Sequence, residues 1–186
     1  MALRKNQHNL IAWEKTAFYE AVLALKAEQK PGNTNTYDQY VKLHYDNVLA
    51  GHFGPAFFAW HREYLSQFEQ ALQNIKNDQS IALPYWDWSV DNSKTSSIWG
   101  PDFMGGNGNK DFQWQVMDGP FAFNTGQWPL NVRTGSEPYA YLVRQLGESR
   151  YAHSLPTPTN VQDTLQATPY DVSPWNSLSG SGFRNR

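Results

Sequence analysis

Cysteine is absent from the 186 residues, and disulfides, thiolate metal ligands and cysteine nucleophiles are absent with it. Any metal this chain holds must be held by nitrogen and oxygen. An excess of charge is missing as well. Fifteen basic residues against 17 acidic ones leave a formal net charge of -2, with no basic run, so nucleic acid is excluded as an expected partner. No apolar stretch approaches the ~18–20 residues needed to cross a bilayer, and no membrane partner is expected. The N-terminal "MALRKNQHNLIAWEKTAF" is interrupted by charge and has no apolar signal-peptide core. The expectation is a cytoplasmic protein; secretion with a removed leader, or with a helper protein, is the alternative.

Aromatic residues are plentiful by contrast: 8 Trp, 10 Tyr and 10 Phe. Such rings build dense, rigid cores and also line sites for ring-shaped ligands, the core role being the commoner. A first helix is expected from Trp13 to Glu28, where Phe18, Val22 and Leu25 form one stripe beside Ala17, Ala21 and Ala24. "KPGNTNT" breaks it and offers Asn and Thr caps to the next. A second helix is expected from Tyr37 to Tyr45, with Tyr37, Tyr40, Val41 and His44 on one face. A third runs from Ala56 or Phe57 to Ile75, and His61, Leu65, Phe68, Leu72 and Ile75 share its apolar face, which gives His61 a buried position. Beyond "LPYWDWSVDN" only "SEPYAYLVRQLGES" and "PTNVQDTLQATPYD" read as short helices. The chain is expected to be a helical first half wrapped by a loop-rich second half, with no repeat and no linker.

Histidine is scarce, yet three of the five, His44, His52 and His61, fall in the stretch around "GHFGPAFFAWHREYL". A lone histidine on an apolar face is usually a hydrogen-bonded core residue; three converging on one region are not. Neutral imidazole is the commonest metal ligand. His44 and His61 sit on helix faces that can pack together. His52 lies between them on a segment that can fold back, with Gly51 and Gly54 leaving room for its backbone to approach a metal. Three imidazoles suit zinc or copper equally. "WHREYL" is not the HExxH of zinc hydrolases, because no histidine follows at i+4.

These residues resemble a family. "GPAFFAWHREYLSQFEQAL" followed by "ALPYWDWS" is similar to the first copper-binding half of the tyrosinase family of type 3 copper proteins. Phe57, Trp60, His61, Arg62, Tyr64, Leu65, Phe68 and Glu69 fill the first part of the family's frame, and Leu83 to Trp88 fill the second. "RKN", "DFMGGNGN", "DGPFA", "YDVSPWN" and "GFRN" extend the resemblance over the whole chain, in the order of bacterial tyrosinases. It implies a mainly α tyrosinase-like helical bundle around a copper centre, residues 1–186 being the N-terminal part of one copper-binding domain. The implied ligands of the first copper are His44, His52 and His61, with the ring of Phe57 packed beside them. Asp87, a carboxylate among apolar residues in "LPYWDW", must be hydrogen-bonded or paired, and a structural role is expected of it.

Three departures bear on this. The segment from His44 to His52 is shorter than in many bacterial members. No cysteine can form the thioether to a histidine found in some plant and fungal relatives. Most important, the family's second copper site needs an H-x3-H pair and a further histidine, and only His8 and His153 remain. Both stand in the wrong contexts; His8 is expected at the surface and His153 in a loop. The implied activity is oxidation of phenols, o-diphenols or o-aminophenols to quinone-type products with O2. It uses two coppers, the second brought by a missing segment or a companion chain. A haemocyanin-like oxygen carrier and a non-catalytic metal- or partner-binding fragment are the other readings.

Overall fold

Residues 2–32, 34–125, 128–134, 139–148 and 155–166 are described by a computed structural model. His153 and the "YDVSPWN" and "GFRN" stretches lie outside the described residues.

Four helices come early in the chain: α1 (Ala12–Ala27), α2 (Thr36–Asp46), α3 (Val48–His52) and α4 (Phe57–Lys76). The expected stripe of α1 is the buried one, with Ala21, Val22 and Leu25 all enclosed. Asn35 caps α2 by accepting from the Asp38 amide at 2.8 Å, as "KPGNTNT" suggests. Asn77, in the left-handed region at φ 50°, ends α4. A further helix, α5 (Pro158–Leu165), begins at a Thr157–Asn160 capping box. Among the described residues no strand forms; isolated bridges such as Asn6 with Tyr85 tie loops to one another.

Helix α1 packs against α4 and α2, and the core is built where they meet. Ala21, Val22 and Leu25 of α1 and Leu72 of α4 join Ile81, Leu83, Phe121 and Trp128 from the connecting segments. Burying side chains of this size contributes about 1.5–3 kcal/mol each. One ion pair sits inside this apolar surround. Lys26 Nζ of α1 donates to Asp38 Oδ1 of α2 at 2.5 Å, the two side chains being 3% and 6% exposed. The pair is completed by Asn35 Nδ2 and Asn131 Nδ2, which donate to Asp38 Oδ2 at 2.7 and 3.0 Å. The Lys26 ammonium also lies 5.5 and 5.3 Å from the ring centroids of Tyr37 and Trp128. A buried charge tolerates its site only when paired and hydrogen-bonded in this way.

Helices α2 and α4 meet differently. Their contact is made by rings: Tyr40 lies edge-on to Tyr64 (5.7 Å between centroids) and to Phe68 (5.2 Å). Each such pair contributes about 0.5–1.5 kcal/mol beyond its area, and together they act as a spacer between the two helices. Glu69, also on α4, accepts from the Leu83 amide and from Arg4 Nε, both at 2.8 Å. That carboxylate joins the two sequence blocks that carry the family resemblance.

The structure alters three expectations. "SEPYAYLVRQLGES" is not helical over its described residues, 139–148. Its backbone pairs outward instead: Ala140 O accepts from the Leu130 amide, Leu142 O from Val116, and the Arg144 amide donates to Trp114 O. Non-local partners thus replace the i→i−4 ladder. The apolar stripe of α4 is graded rather than uniformly buried, because only Leu72 is enclosed while His61 is half-buried and Leu65 is 39% exposed. Asp87 is likewise half-buried, not buried; its Oδ1 accepts from the Ser89 hydroxyl at 2.6 Å and amide at 3.2 Å, closing a turn.

Replacing Asp38 with Asn should leave Lys26 charged and buried with too few partners. A loss of about 3–5 kcal/mol in unfolding free energy is expected by denaturant titration. Lys76→Ala, which breaks the exposed pair with Glu20, serves as the control and should change little. A loss in D38N no larger than the control's would remove the ion pair from its structural role.

Candidate metal centre

At the open end of the bundle, α2 contributes His44 from its last turn, α3 contributes His52 as its final residue, and α4 contributes His61 from its second turn. The short α3, which the sequence pattern does not signal, carries the segment between His44 and His52 back toward α4. All three imidazoles are half-buried, and they form one group whose ligand atoms lie within 4.8 Å of one another. His44 Nε2 is 3.0 Å from His52 Nε2 and 3.4 Å from His61 Nε2.

Those separations test whether a metal fits. Two nitrogens each about 2.0–2.1 Å from one ion stand roughly 2.9–3.6 Å apart for angles of about 90–120°. Both observed distances fall in that range. Hydrogen bonding alone does not account for the arrangement, since a single Nε2 has either one proton or one lone pair and here faces two other nitrogens. His61 is also pre-set for coordination. Its Nδ1 lies 2.7 Å from the carbonyl oxygen of Phe57, one turn back on α4. A carbonyl only accepts, so the proton is on Nδ1 and the lone pair of Nε2 points into the cluster. This is how metal-bound histidines are commonly oriented.

Aromatic rings flank the cluster. Phe57 lies 4.4 Å from the His61 ring and 5.7 Å from that of His52. Trp60 and Tyr64, stacked at 5.2 Å and 13°, both flank His44, at 5.6 and 5.4 Å. Burial, and after it the repulsion that a protonated His61 would exert, push the His44 imidazole below its ordinary value. Burial likewise raises the phenols of Tyr40 and Tyr64, which stay protonated; the Tyr64 hydroxyl donates to Tyr40 O at 3.1 Å.

The remaining candidates lie apart. Asp87 is not a member of the three-imidazole group, the one such cluster among the described residues. His8 is half-exposed, with Nε2 3.0 Å from Asp91 Oδ2, where it links the N-terminal turn to the segment after "LPYWDW". Sequence reasoning missed Arg144. Its guanidinium donates to three successive carbonyls, Met104, Gly105 and Gly106, at 2.9, 2.5 and 2.6 Å, and stacks over Trp99 at 4.7 Å. Burial lowers it to about 10, and it organises the glycine-rich "DFMGGNGN" loop. A single arginine in an unremarkable segment carries no local signal of that role.

Known proteins with this pattern are well represented. The family model for the common central domain of tyrosinase matches residues 34–184. A tyrosinase of Streptomyces glaucescens is 45% identical over 193 residues, and one of Streptomyces antibioticus 46% identical. In both alignments the whole of this chain is covered, against 65% and 66% of the relative. Grixazone synthase of Streptomyces griseus is 39% identical, with 98% of this chain and 66% of that protein covered. The chain therefore spans just under two thirds of the length of these relatives. Among solved structures, a polyphenol oxidase from Thermothelomyces thermophila superposes with a TM-score of 0.60 at 22% identity. It covers 97% of this chain and 57% of that one, and shows the fold.

Metal binding at this cluster should be acid-sensitive, because each imidazole must be neutral to coordinate. Folding already holds His44 below its unfolded value, so the folded site takes up a proton less readily than the unfolded chain. That contribution to stability is complete above an unfolded value of about 6.5 and is lost as pH falls through the lower folded one. Titration of the chain with Cu(II) at stepped pH should show one ion per chain, held near neutrality and released as pH falls below about 6. Copper retained in full at pH 4 would assign the ion to other ligands.

Proposed function

Because the chain belongs to the tyrosinase family, as the match over residues 34–184 shows, we propose that it supplies the first copper site of an oxidase that converts phenols and o-diphenols to o-quinones with O2. One observation carries this reading: the Nε2 atoms of His44, His52 and His61 meet at metal-ligand spacing inside the matched region. Copper held there would supply reversible one-electron chemistry toward O2 and the phenol. The chain's own residues do the rest. The Phe57 carbonyl keeps the proton of His61 on Nδ1, so that Nε2 is available without a tautomer change. The rings of Phe57, Trp60 and Tyr64 exclude water from one side of the cluster and limit the ways the imidazoles can turn. The imidazoles themselves are half-buried, so they are not sealed from solvent in this chain.

Electron balance requires a second metal. Taking an o-diphenol to an o-quinone removes two electrons and two protons, and one copper cycles through one electron. Among the described residues there is no second cluster of ligands, and the relatives are longer. In this reading the second copper is held by a C-terminal segment or a companion chain seated beside the cluster. The apolar side chains around the cluster suit such a cover: Leu49 is 71% exposed, and Val48, Phe53, Phe58 and Leu65 are exposed as well.

The 186-residue chain loaded with copper should therefore give no coloured quinone from catechol, and adding the complementary segment should restore turnover. His61→Ala should abolish both the copper and the restored activity. Catechol turnover by the monodisperse chain without a partner, or full copper content in H61A, would overturn the proposal.

A further inference from the structure

One indole touches all three elements that carry the imidazoles. Trp60 belongs to α4 and precedes His61, whose ring lies 4.9 Å from its own. Toward α2, its centroid is 5.6 Å from the His44 ring. Toward α3, it fills the space beside Gly51, the buried residue immediately before His52. A Cβ built on Gly51 would stand 3.1 Å from Cε3 and 3.2 Å from Cδ2 of that indole. The indole is also stacked on Tyr64 of the same helix, itself tied by its hydroxyl to α2.

We propose that Trp60 is the positioning residue of the metal centre and that Gly51 is the residue that admits it, an inference that rests on the reading of the three imidazoles as a copper site. Together they set how closely α3 approaches α2 and α4, and so where the His52 nitrogen meets the other two. Glycine is not at position 51 for its backbone freedom. The residue lies within α3, outside the left-handed region, where alanine is the better helix former. What glycine provides there is room for a ring. A carbon 3.1 Å from an aromatic carbon is several tenths of an ångström inside the ordinary contact of about 3.5–4.0 Å. With the indole held by its stacking on Tyr64, an added methyl group moves α3 away from it by a comparable amount. Metal sites hold their ligand distances to about ±0.2 Å, so a displacement of that size reaches the ion while the core, elsewhere on α1 and α4, is untouched.

The test is Cu(II) binding by the full 186-residue chain, read as affinity by competition with a chelator and as the EPR spectrum of the bound ion. His61→Ala defines copper held elsewhere. Gly51→Ala should lower affinity by about tenfold to a hundredfold, the usual effect of disturbing the groups behind a metal ligand, and should alter the EPR parameters. The melting temperature of the metal-free chain should be unchanged. Trp60→Phe alone should also weaken binding. Combined with Gly51→Ala it should bind more tightly than the product of the two single effects, because the smaller ring accommodates the methyl group. Wild-type binding no stronger than that of H61A would refute the copper reading itself. Wild-type binding at the histidines with G51A equal to it in affinity and spectrum, or a double variant showing strictly multiplicative losses, would refute the positioning role alone. If G51A does not fold, Trp60→Phe decides: an unchanged affinity and spectrum would refute the proposal.

Discussion

Tyr40, standing between Tyr64 and Phe68, keeps α2 and α4 about a ring's width apart. The three imidazoles depend on that gap. The separation of packed helices depends on the side chains at the contact, and between α2 and α4 those side chains are rings. Here the rings bear the contact lower down, and His44 and His61 come together tip to tip at 3.4 Å. The abundance of aromatic residues is thus accounted for by the spacing as much as by core volume.

The gap would be of little use if α2 could slide. Its height on α1 is set by the Lys26–Asp38 pair, enclosed by the Tyr37 and Trp128 rings and completed by two asparagine side chains. A buried ion pair contributes little net stability compared with apolar residues of the same volume, but separating its partners is strongly unfavourable. A misregistered α2 would leave both charges unpaired, and two turns further along it would carry His44 away from His61. The same segment that supplies Asp38 also begins with its own cap, Asn35, so the local start of the helix and its tertiary anchor are one structure.

The loop-rich half supports this arrangement from outside. Glu69 holds the Leu83 amide, fastening the "LPYWDW" stretch to α4, and Arg144 gathers three carbonyls of the glycine-rich loop around Trp99. One backbone amide is satisfied by Glu69 and three carbonyls by Arg144; charged side chains thus serve backbone groups that have no regular partner, which is what a fold without strands among its described residues requires. The loops are thereby fastened to α4 and to one another by specific hydrogen bonds.

The sequence by itself determined what is periodic or locally capped. The stripes of α1 and α2, the break at "KPGNTNT" and the span of α4 follow from spacings of three and four residues, and these emerge in the structure within a residue or two. The gathering of His44, His52 and His61 was legible too, because two lie on inward helix faces and the third between them, and the family resemblance named the same three. Tertiary structure alone decided the rest. Nothing in the local pattern around Lys26, Asp38, Gly51 or Arg144 tells which distant atom each will meet. The stretch "SEPYAYLVRQLGES" has helical periodicity yet spends its carbonyls on Leu130 and Val116. Gly51 read as slack for the backbone near a metal, whereas it is the place where an indole from the next helix sits. Periodicity reports which face of an element is apolar, a property of neighbours in sequence. Which hydrogen-bonding groups and rings are opposed across the interior depends on how the elements pack, and that is set by contacts between residues far apart in the chain.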